Sequence, residues 1–445
     1  MNEYISSNDT MIDTLGECIY PSPLQISKFI DDSQRIAIDI EAHLLEQSFN
    51  NTGTIASFEN AGPRKKIFFN PETTRAAIVT CGGLCPGINN VIQGIVRMLN
   101  FQYGVKTIYG VRYGFEGLIK RYGHSFIELT PAFVHDLHEK GGTVLGSSRG
   151  YQDEKEIVAT LVEHGINILF IIGGDGSLRG AYDIYQEVKR QKLPIAIVGI
   201  PKTIDNDIWF VDKTFGFSTA VSTAAQAIYA AHSEAIGAKN GIGIVRVMGR
   251  DAGYIAAYVT LASNEVNYCL VPEVHFDLDG PYGFLTHLEK RLYAASHAVI
   301  VVSEGAGQEY FTGPKETDAS GNIKYGDIGL LLKDTITAYC KERGIPVTIK
   351  YIDTSYLVRS VPASSDDAVY CIMLAQNAVH GAMAGKTGFV VGTWHSYYTY
   401  IPLSLVTKKR KRIDPNGYLW SMVKQSTCQP DFFAPANTGK FVLWR

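Results

Sequence analysis

The stretch NILFIIGGDG, residues 167–176, joins an unbroken apolar run to a glycine-rich turn. An apolar run without alternation is typical of a strand that is buried on both faces of a sheet. Comparable runs, each ending near glycine and most of them followed by a longer amphipathic segment, are AAIVTCGG (76–83), PIAIVGIPKT (194–203), GIGIVRVMGRD (241–251) and AVIVVSEGAG (298–307). This alternation predicts an α/β fold with two doubly wound, Rossmann-like lobes, whose ligands bind at the carboxyl ends of the strands.

The lobe boundaries follow from the order of these segments. Residues 1–75 are predicted to form an N-terminal extension with short helical pieces, packed on the core or on another subunit. One lobe is predicted to comprise 76–216 plus about 359–405, and the other 217–358 plus about 406–445.

The composition excludes several functional classes. The 445 residues carry a formal net charge of −3, which offers no general attraction to nucleic acid or to an acidic membrane. The sequence has no apolar run of about 18 residues and no signal-peptide pattern at its start. Seven scattered cysteines do not suggest a disulfide framework. We therefore expect a cytoplasmic protein that acts on small molecules.

Two glycine-rich turns are candidate phosphate sites. CGGLCPG (81–87) could approach a phosphate with its backbone, although a plain tight turn explains it equally well. In GGDGS (173–177), Asp175 stands at the end of a strand, where it could hold Mg²⁺ directly or through water, or could cap the next helix. Gly176 leaves room for a polyphosphate, whereas a carboxylate at that position would repel one.

The stretch PKTIDND (201–207) combines the side chains that phosphoryl transfer requires. One aspartate could accept a proton from a substrate hydroxyl while the other orients a cation. Lys202 supplies a compact positive charge and Thr203 a hydroxyl donor. The alternative is a polar loop built around an Asx turn.

Together these motifs resemble the phosphofructokinase family. GGDGS and PKTIDND are accompanied by MGRDAGYIAA (248–257), a further element typical of that family. Other matching stretches, which agree in order with the family over about residues 64–430, are CGGLCPG, LGSSRG (145–150), PEV (272–274), SEGAG (303–307) and SYLVRSVPASSDD (355–367). The resemblance is closest to the ATP-using branch of plants and trypanosomatids, which is related to the pyrophosphate-dependent enzymes.

The resemblance implies transfer of the γ-phosphoryl group of ATP to the C1 hydroxyl of fructose 6-phosphate, with Mg²⁺ as cofactor. It assigns Asp205 as general base and Asp207 to support of the metal. Lys202, Thr203 and Arg250 would act on the transferring group. It also implies a homo-oligomer, dimer or tetramer, and an active site between the lobes.

Binding roles also come from the resemblance. The first lobe would bind the nucleotide through Gly83, Arg149, Asp175, Gly176, Ser177 and Gly180, with Asp175 also at the metal. The second would bind the sugar phosphate, and the residues assigned to the substrate are Thr203, Asp205, Met248, Gly249, Arg250, Glu304, Lys350, Tyr356 and Arg359.

The donor signature is mixed, because Gly176 is typical of ATP-using members and Lys202 of pyrophosphate-using ones. The space and charge at position 176 favour ATP, with pyrophosphate as the alternative. A non-catalytic regulatory subunit is a third hypothesis, which the intact acids and Arg250 disfavour.

Three further features bear on these expectations. Gly241 and Gln93 replace arginines of simple bacterial members, which puts an intersubunit contact and their effector response in doubt. The basic run KKRKR (408–412) is predicted to be a solvated turn, rather than a nuclear signal or a polyanion site.

Overall fold

The computed structural model describes residues 5–314, 316, 317 and 323–432, and this part of the chain forms two compact units. The first unit takes the chain up to Thr203, then Asp207–Gly216 and Ser360–Lys411. The second takes Ile204–Asn206, Phe217–Arg359 and the chain from Arg412 onward. Each unit is therefore assembled from segments that are distant in sequence.

Within the described residues the strands are β1 (Asp13–Thr14), β2 (Tyr20–Pro21), β3 (Arg35–Ala37), β4 (Ser57–Asn60), β5 (Lys66–Ile67), β6 (Arg75–Thr80), β7 (Thr107–Val111), β8 (Ile127–Glu128), β9 (Ile168–Gly173), β10 (Ala196–Pro201), β11 (Gly241–Val247), β12 (Tyr268–Leu270), β13 (His297–Ser303), β14 (Thr348–Asp353), β15 (Lys386–Thr387), β16 (Phe389–Trp394) and β17 (Tyr397–Pro402). The α-helices of the same residues are α1 (Ala42–Thr52), α2 (Ile88–Arg97), α3 (Glu154–Glu163), α4 (Asp175–Arg190), α5 (Phe217–Ile236), α6 (Tyr254–Ser263), α7 (Phe284–Ala295), α8 (Ile328–Glu342), α9 (Leu357–Ser360), α10 (Ser365–Met383), α11 (Leu403–Val406) and α12 (Tyr418–Thr427).

The first unit is built on a nine-stranded sheet in the order β3-β4-β17-β16-β10-β9-β6-β7-β8. Its central strands, from β16 to β7, run parallel, and the outer strands pair antiparallel. Every residue of β9 and β10 is buried, as their continuous apolar sequence predicts. Leu178 and Ile184 of α4 pack into the same core as Leu169 of β9 and Ile197 of β10.

The described part of the N-terminal extension belongs to the first unit. Strands β3 and β4 extend the nine-stranded sheet, and β1 pairs with β15. A buried charge cluster reinforces this attachment, because Glu59 of β4 accepts one hydrogen bond at 2.6 Å from Arg64 and lies 2.5 Å from Lys386. The sequence left open where this segment packs, and these contacts place it on the core of its own chain.

The second unit has a four-stranded, fully parallel sheet in the order β12-β13-β11-β14. Its core combines Ile242 and Ile244 of β11 with apolar residues of β13, α7 and α8. Helix α5 packs so closely on β11 that a Cβ on Gly241 would lie 2.1 Å from the carbonyl oxygen of Ala235. Position 241 therefore has no room for a side chain, which gives a physical reason for the missing arginine.

No helix in the described parts of the chain is long and apolar enough to cross a membrane. All seven cysteines lie within the described residues, and none of them forms a disulfide bond there.

Candidate active site

Three candidate segments meet at one edge of the first unit's sheet. Strands β6, β9 and β10 are parallel neighbours and end together, with Thr80 beside Ile172 and Pro201 beside Gly173. The CGGLCPG turn, the GGDGS turn and the PKTIDND stretch follow these three ends directly. Because α/β folds bind ligands at the carboxyl ends of their parallel strands, this edge is the candidate site of the first unit.

The first glycine turn is held by a lysine and by the LGSSRG segment. The Lys202 ammonium donates to the Gly83 carbonyl oxygen at 2.7 Å, and the Ser147 hydroxyl donates to the Gly82 carbonyl oxygen at 2.6 Å. Gly82 adopts a φ of 84°, a conformation that favours glycine. Lys202 is buried, so its charge is fixed beside this turn rather than extended into solvent.

Asp175 is the first residue of α4, and arginines surround its carboxylate. Its Oδ2 lies 3.0 Å from Nη2 and 3.1 Å from Nε of Arg410, and 3.4 Å from Nη2 of Arg179. The N-cap position belongs to Gly174, which makes no side-chain cap bond. Asp175 is therefore not the N-cap residue of α4, a role that its sequence position had left open.

Asp207 is buried close to Asp175. Burial and the charge of Asp175 raise the pKa of Asp207, while Arg410 and the Thr203 hydroxyl oppose that rise in its pKa. Asn206, just before it, turns the chain with a φ of 54°, which asparagine tolerates better than most residues. The described residues contain no group of three or more acidic, histidine or cysteine side chains that could hold a metal by itself.

This donor set fits Mg²⁺ bound together with phosphates. Mg²⁺ in such sites takes one or two carboxylates and completes its shell with water and substrate phosphate oxygens. Asp175 and Asp207 provide two carboxylates beside a turn that is open to solvent.

The nucleotide candidates divide into two groups. A Cβ placed on Gly176 meets no atom within 4 Å, so this exposed position opens onto free space. A Cβ on Gly180 would lie 2.8 Å from the ring of Phe115, so helix packing alone explains that glycine. Ser177 is half-buried at the turn, and Arg149 is exposed. The nucleotide roles of these four residues stay predictions.

In the second unit, the ends of β11 and β13 interlock. Glu304 follows β13, and its Oε1 accepts the Arg250 backbone N–H at 3.2 Å. Arg250 has a φ of 47°, which is uncommon for a residue of this size and occurs most often at functional sites. A Cβ on Gly305 would lie 1.7 Å from the Arg250 carbonyl oxygen, so only glycine allows this approach. The two motifs MGR and SEGAG thus fix each other's backbone.

Arg246 is a member of this edge that the sequence analysis missed. Its guanidinium lies 3.4 Å from Glu304, 3.0 Å from Asp353 and 3.9 Å from Asp327. These carboxylates raise the pKa of Arg246, although its burial lowers it. A charged residue inside the apolar strand GIGIVRV was the signal available for it.

The Arg250 side chain lies in the same region. Its guanidinium is 5.8 Å from the ring of Tyr325, whose hydroxyl donates to Asp251. Its Nε is buried without a hydrogen-bond partner among the described residues. Such an arginine is suited to an anionic ligand, because an unmade charged hydrogen bond is costly.

The remaining substrate candidates are spread over several segments of the chain. Met248 is half-buried, and Gly249 is required by its φ of 141°. Asp205 is buried and groups with the second unit. Arg359 lies 4.8 Å from the ring of Tyr356, which is 73% exposed.

Lys350 lies apart from the other substrate candidates. It is exposed, pairs with Glu234 at 3.4 Å, and stands opposite Gly243 in the middle of β14, the edge strand of the sheet. The structure does not bring it to the strand ends.

Gln93 is used structurally. Its amide donates to the carbonyl oxygens of Val134 and His135 at 2.9 and 2.8 Å. The Gln93 side chain, which stands where simple bacterial members have an effector-site arginine, thus forms hydrogen bonds with the backbone.

The fold and these strand ends define the class of the protein: a doubly wound α/β protein with acids and cations at the carboxyl ends of its parallel strands, where this class binds its ligands. The model of the family "Phosphofructokinase" matches residues 75–382, and the chain belongs to the phosphofructokinase family.

Its relatives cover nearly the whole chain. It is 48% identical to a Borreliella burgdorferi protein named ATP-dependent 6-phosphofructokinase, over 95% of this chain and 97% of the relative. It is 47% identical to ATP-dependent 6-phosphofructokinase 7 of Arabidopsis thaliana, over 86% of this chain and 79% of the relative. Among solved structures, a pyrophosphate-dependent phosphofructokinase of Marinobacter aquaeolei matches with a TM-score of 0.65 at 23% identity, over 84% of this chain and 97% of that one. At that identity the match shows the fold alone.

Proposed function

We propose that this protein is an ATP-dependent 6-phosphofructokinase, which transfers the γ-phosphoryl group of ATP to the C1 hydroxyl of fructose 6-phosphate. The products are fructose 1,6-bisphosphate and ADP. Relatives named for that activity support the proposal at 43–48% identity over more than 90% of this chain. A cytoplasmic homo-oligomer, a dimer or tetramer, is part of the proposal.

The donor is assigned to the first unit. Asp175 and Asp207 would hold Mg²⁺ together with the nucleotide phosphates, and the ion would supply neutralisation of the phosphate charge. The glycine turns would admit the phosphates close to the backbone, with Ser177 and Arg149 as polar contacts. Lys202 would add a fixed positive charge beside the turn that contains Gly83.

The acceptor chemistry is assigned to Asp205 and its neighbours. Asp205 would take the proton of the C1 hydroxyl as that oxygen attacks phosphorus, which requires only a carboxylate within hydrogen-bond reach. Thr203 and Arg250 would hold the transferring group in line and stabilise its charge. Phosphoryl transfer depends mainly on such positioning and neutralisation.

The sugar phosphate is assigned to the second unit. Met248, Gly249 and Glu304 would contact the sugar, and Glu304 is already oriented by the Arg250 backbone. Tyr356 and Arg359 would bind the 6-phosphate. Lys350 is a third candidate, but its position in the middle of β14 makes it less suited to this role.

The open space at Gly176 is the observation that supports ATP as the phosphoryl donor. Because its Cβ position opens onto free space next to Asp175, a nucleotide can pass over it without displacing protein atoms. Lys202 does not compete for that space, since its ammonium is bonded to Gly83.

The direct test is formation of fructose 1,6-bisphosphate from fructose 6-phosphate and Mg²⁺, run in parallel with ATP and with pyrophosphate. We expect product with ATP alone. Product with pyrophosphate alone would show that Lys202 outweighs the open glycine. No product with either donor would return the chain to the regulatory-subunit hypothesis, which binding measurements with both substrates would then examine.

A further inference from the structure

Arg410 takes a position that could not be expected from its neighbours in the chain. It belongs to the basic run KKRKR, which was predicted to be a solvated turn. In the structure its guanidinium contacts Asp175 at 3.0 and 3.1 Å and lies 4.0 Å from Asp207, and its side chain is only 24% exposed. A cation therefore already stands between the two carboxylates assigned to Mg²⁺.

Backbone contacts hold the segment around Arg410 in this position. Arg410 forms an antiparallel bridge with Ile208, and the Lys411 N–H donates to the Asp207 carbonyl oxygen at 2.8 Å. The Lys411 ammonium donates to the Val211 carbonyl oxygen at 2.6 Å. Since these contacts fix the backbone at Arg410 and at the residue after it, the segment that carries the guanidinium is held in place.

The electrostatic need for Arg410 follows from the burial of its partners. The side chains of Asp175 and Asp207 are each 8% exposed, and two neighbouring buried carboxylates repel each other unless a cation lies close to both. Mg²⁺ and a guanidinium meet that need in the same way. The ion would therefore have to share these carboxylates with the guanidinium, which already contacts Oδ2 of Asp175.

We propose that Arg410 is a positioning residue that serves as the resident counter-cation of this carboxylate pair and competes with a free divalent ion for it. In the absence of nucleotide, the protein then binds divalent ions weakly. A polyphosphate carries its own negative charge, so it provides both the metal and the guanidinium with further oxygen partners. The inference rests on the proposed function, because it takes Asp175 as the metal residue.

The test measures binding of Mn²⁺ alone to the nucleotide-free protein, by the loss of the free-ion signal in electron paramagnetic resonance. We expect Arg410→Gln to bind Mn²⁺ at least about tenfold more tightly than the unaltered protein, because the competing charge is gone. The matched control is Lys409→Gln. It changes the net charge equally in the same segment, but its ammonium lies over the Trp209 ring at 3.9 Å, so we expect unaltered Mn²⁺ affinity.

Each outcome has one meaning. Equal or weaker Mn²⁺ binding by Arg410→Gln, relative to Lys409→Gln, would overturn the role of Arg410. Asp175→Asn separates this from the proposed function. If Mn²⁺ binds Asp175→Asn as tightly as it binds the unaltered protein, the metal assignment itself is wrong.

A second comparison covers the case in which Arg410→Gln does not fold. The double variant Arg410→Gln/Asp207→Asn removes one charge of each sign and keeps the balance of the cluster. It should bind Mn²⁺ more tightly than Asp207→Asn alone. If the two bind equally, Arg410 does not compete with the metal.

Discussion

The carboxyl edges of the two sheets arrange their charges in opposite ways. In the first unit, two buried carboxylates, Asp175 and Asp207, lie around one guanidinium that comes from outside the sheet. In the second, the arginine Arg246 belongs to the central strand and the carboxylates surround it. Under the proposed function, the first edge would receive a further cation, and the second would offer Arg250 to an anion.

The two edges also differ in which parts of the chain hold their side chains in position. At the first edge the acids follow β9 and β10, so their positions depend on turns and on the segment around residue 410. At the second edge the positions of MGR and SEGAG are locked by Gly305 beneath Arg250. The first edge thus depends on a segment that is distant in sequence, while the second is fixed within its own motifs around an unusual backbone conformation.

The largest effect is expected at Asp205, the acid of PKTIDND that groups with the second unit. Asp205→Ser should lower kcat by about 10² to 10⁴, because it removes the general base, while fructose 6-phosphate still binds. Steady-state kinetics and calorimetric titration of the sugar phosphate measure the two quantities. Asp136→Asn, at a side chain that is 64% exposed, is the control for charge. Near-normal turnover of Asp205→Ser would remove Asp205 as the base.

The second prediction concerns the arginine at the centre of the second edge. Arg246→Met should lower the free energy of unfolding by about 3 kcal/mol, because it leaves Glu304, Asp327 and Asp353 close together without their cation. Urea denaturation measures the loss. Lys350→Met, which breaks an exposed pair in the adjacent strand, should cost no more than about 0.5 kcal/mol. Equal losses in the two variants would show that the second edge does not depend on its central arginine.

Arg246 and Arg410 also show where sequence reasoning stops. The parallel strands, their order of appearance and the motifs at their ends could be predicted because apolar periodicity and glycine placement are local properties of the chain. The prediction for 408–412 was wrong for Arg410 and Lys411, while Lys409 is exposed as expected. The contact of Arg410 with Asp175 joins residues more than 200 positions apart. Nothing within KKRKR distinguishes a solvated arginine from one that is paired with a distant acid. The buried acids were the better signal, since each requires a cation from somewhere.

The third prediction tests the open space beside the first edge. Gly176→Asp should raise the KM for ATP by about tenfold or more, because it places a third carboxylate beside Asp175 and against the nucleotide phosphates. The KM for fructose 6-phosphate should change little. Gly176→Asn has nearly the same size without the charge, so it should have a clearly smaller effect. An unchanged KM for ATP in Gly176→Asp would contradict the steric and charge argument for ATP.

The smallest effect is expected at the rim of the second edge, at His275. Although partial burial lowers it, the carboxylates of Glu309 and Asp277 raise the pKa of His275 above its usual range. The ion pairs at 2.8 and 3.2 Å therefore stabilise the folded state fully below about pH 6.5, the unfolded pKa, and that contribution is lost as the pH rises through the folded value. Because all three side chains are about half exposed, His275→Gln should cost less than about 1 kcal/mol at pH 5.5 and less than that at pH 8.5. A loss of stability that is equal at both pH values, measured by thermal unfolding, would mean that packing rather than charge holds His275 in place.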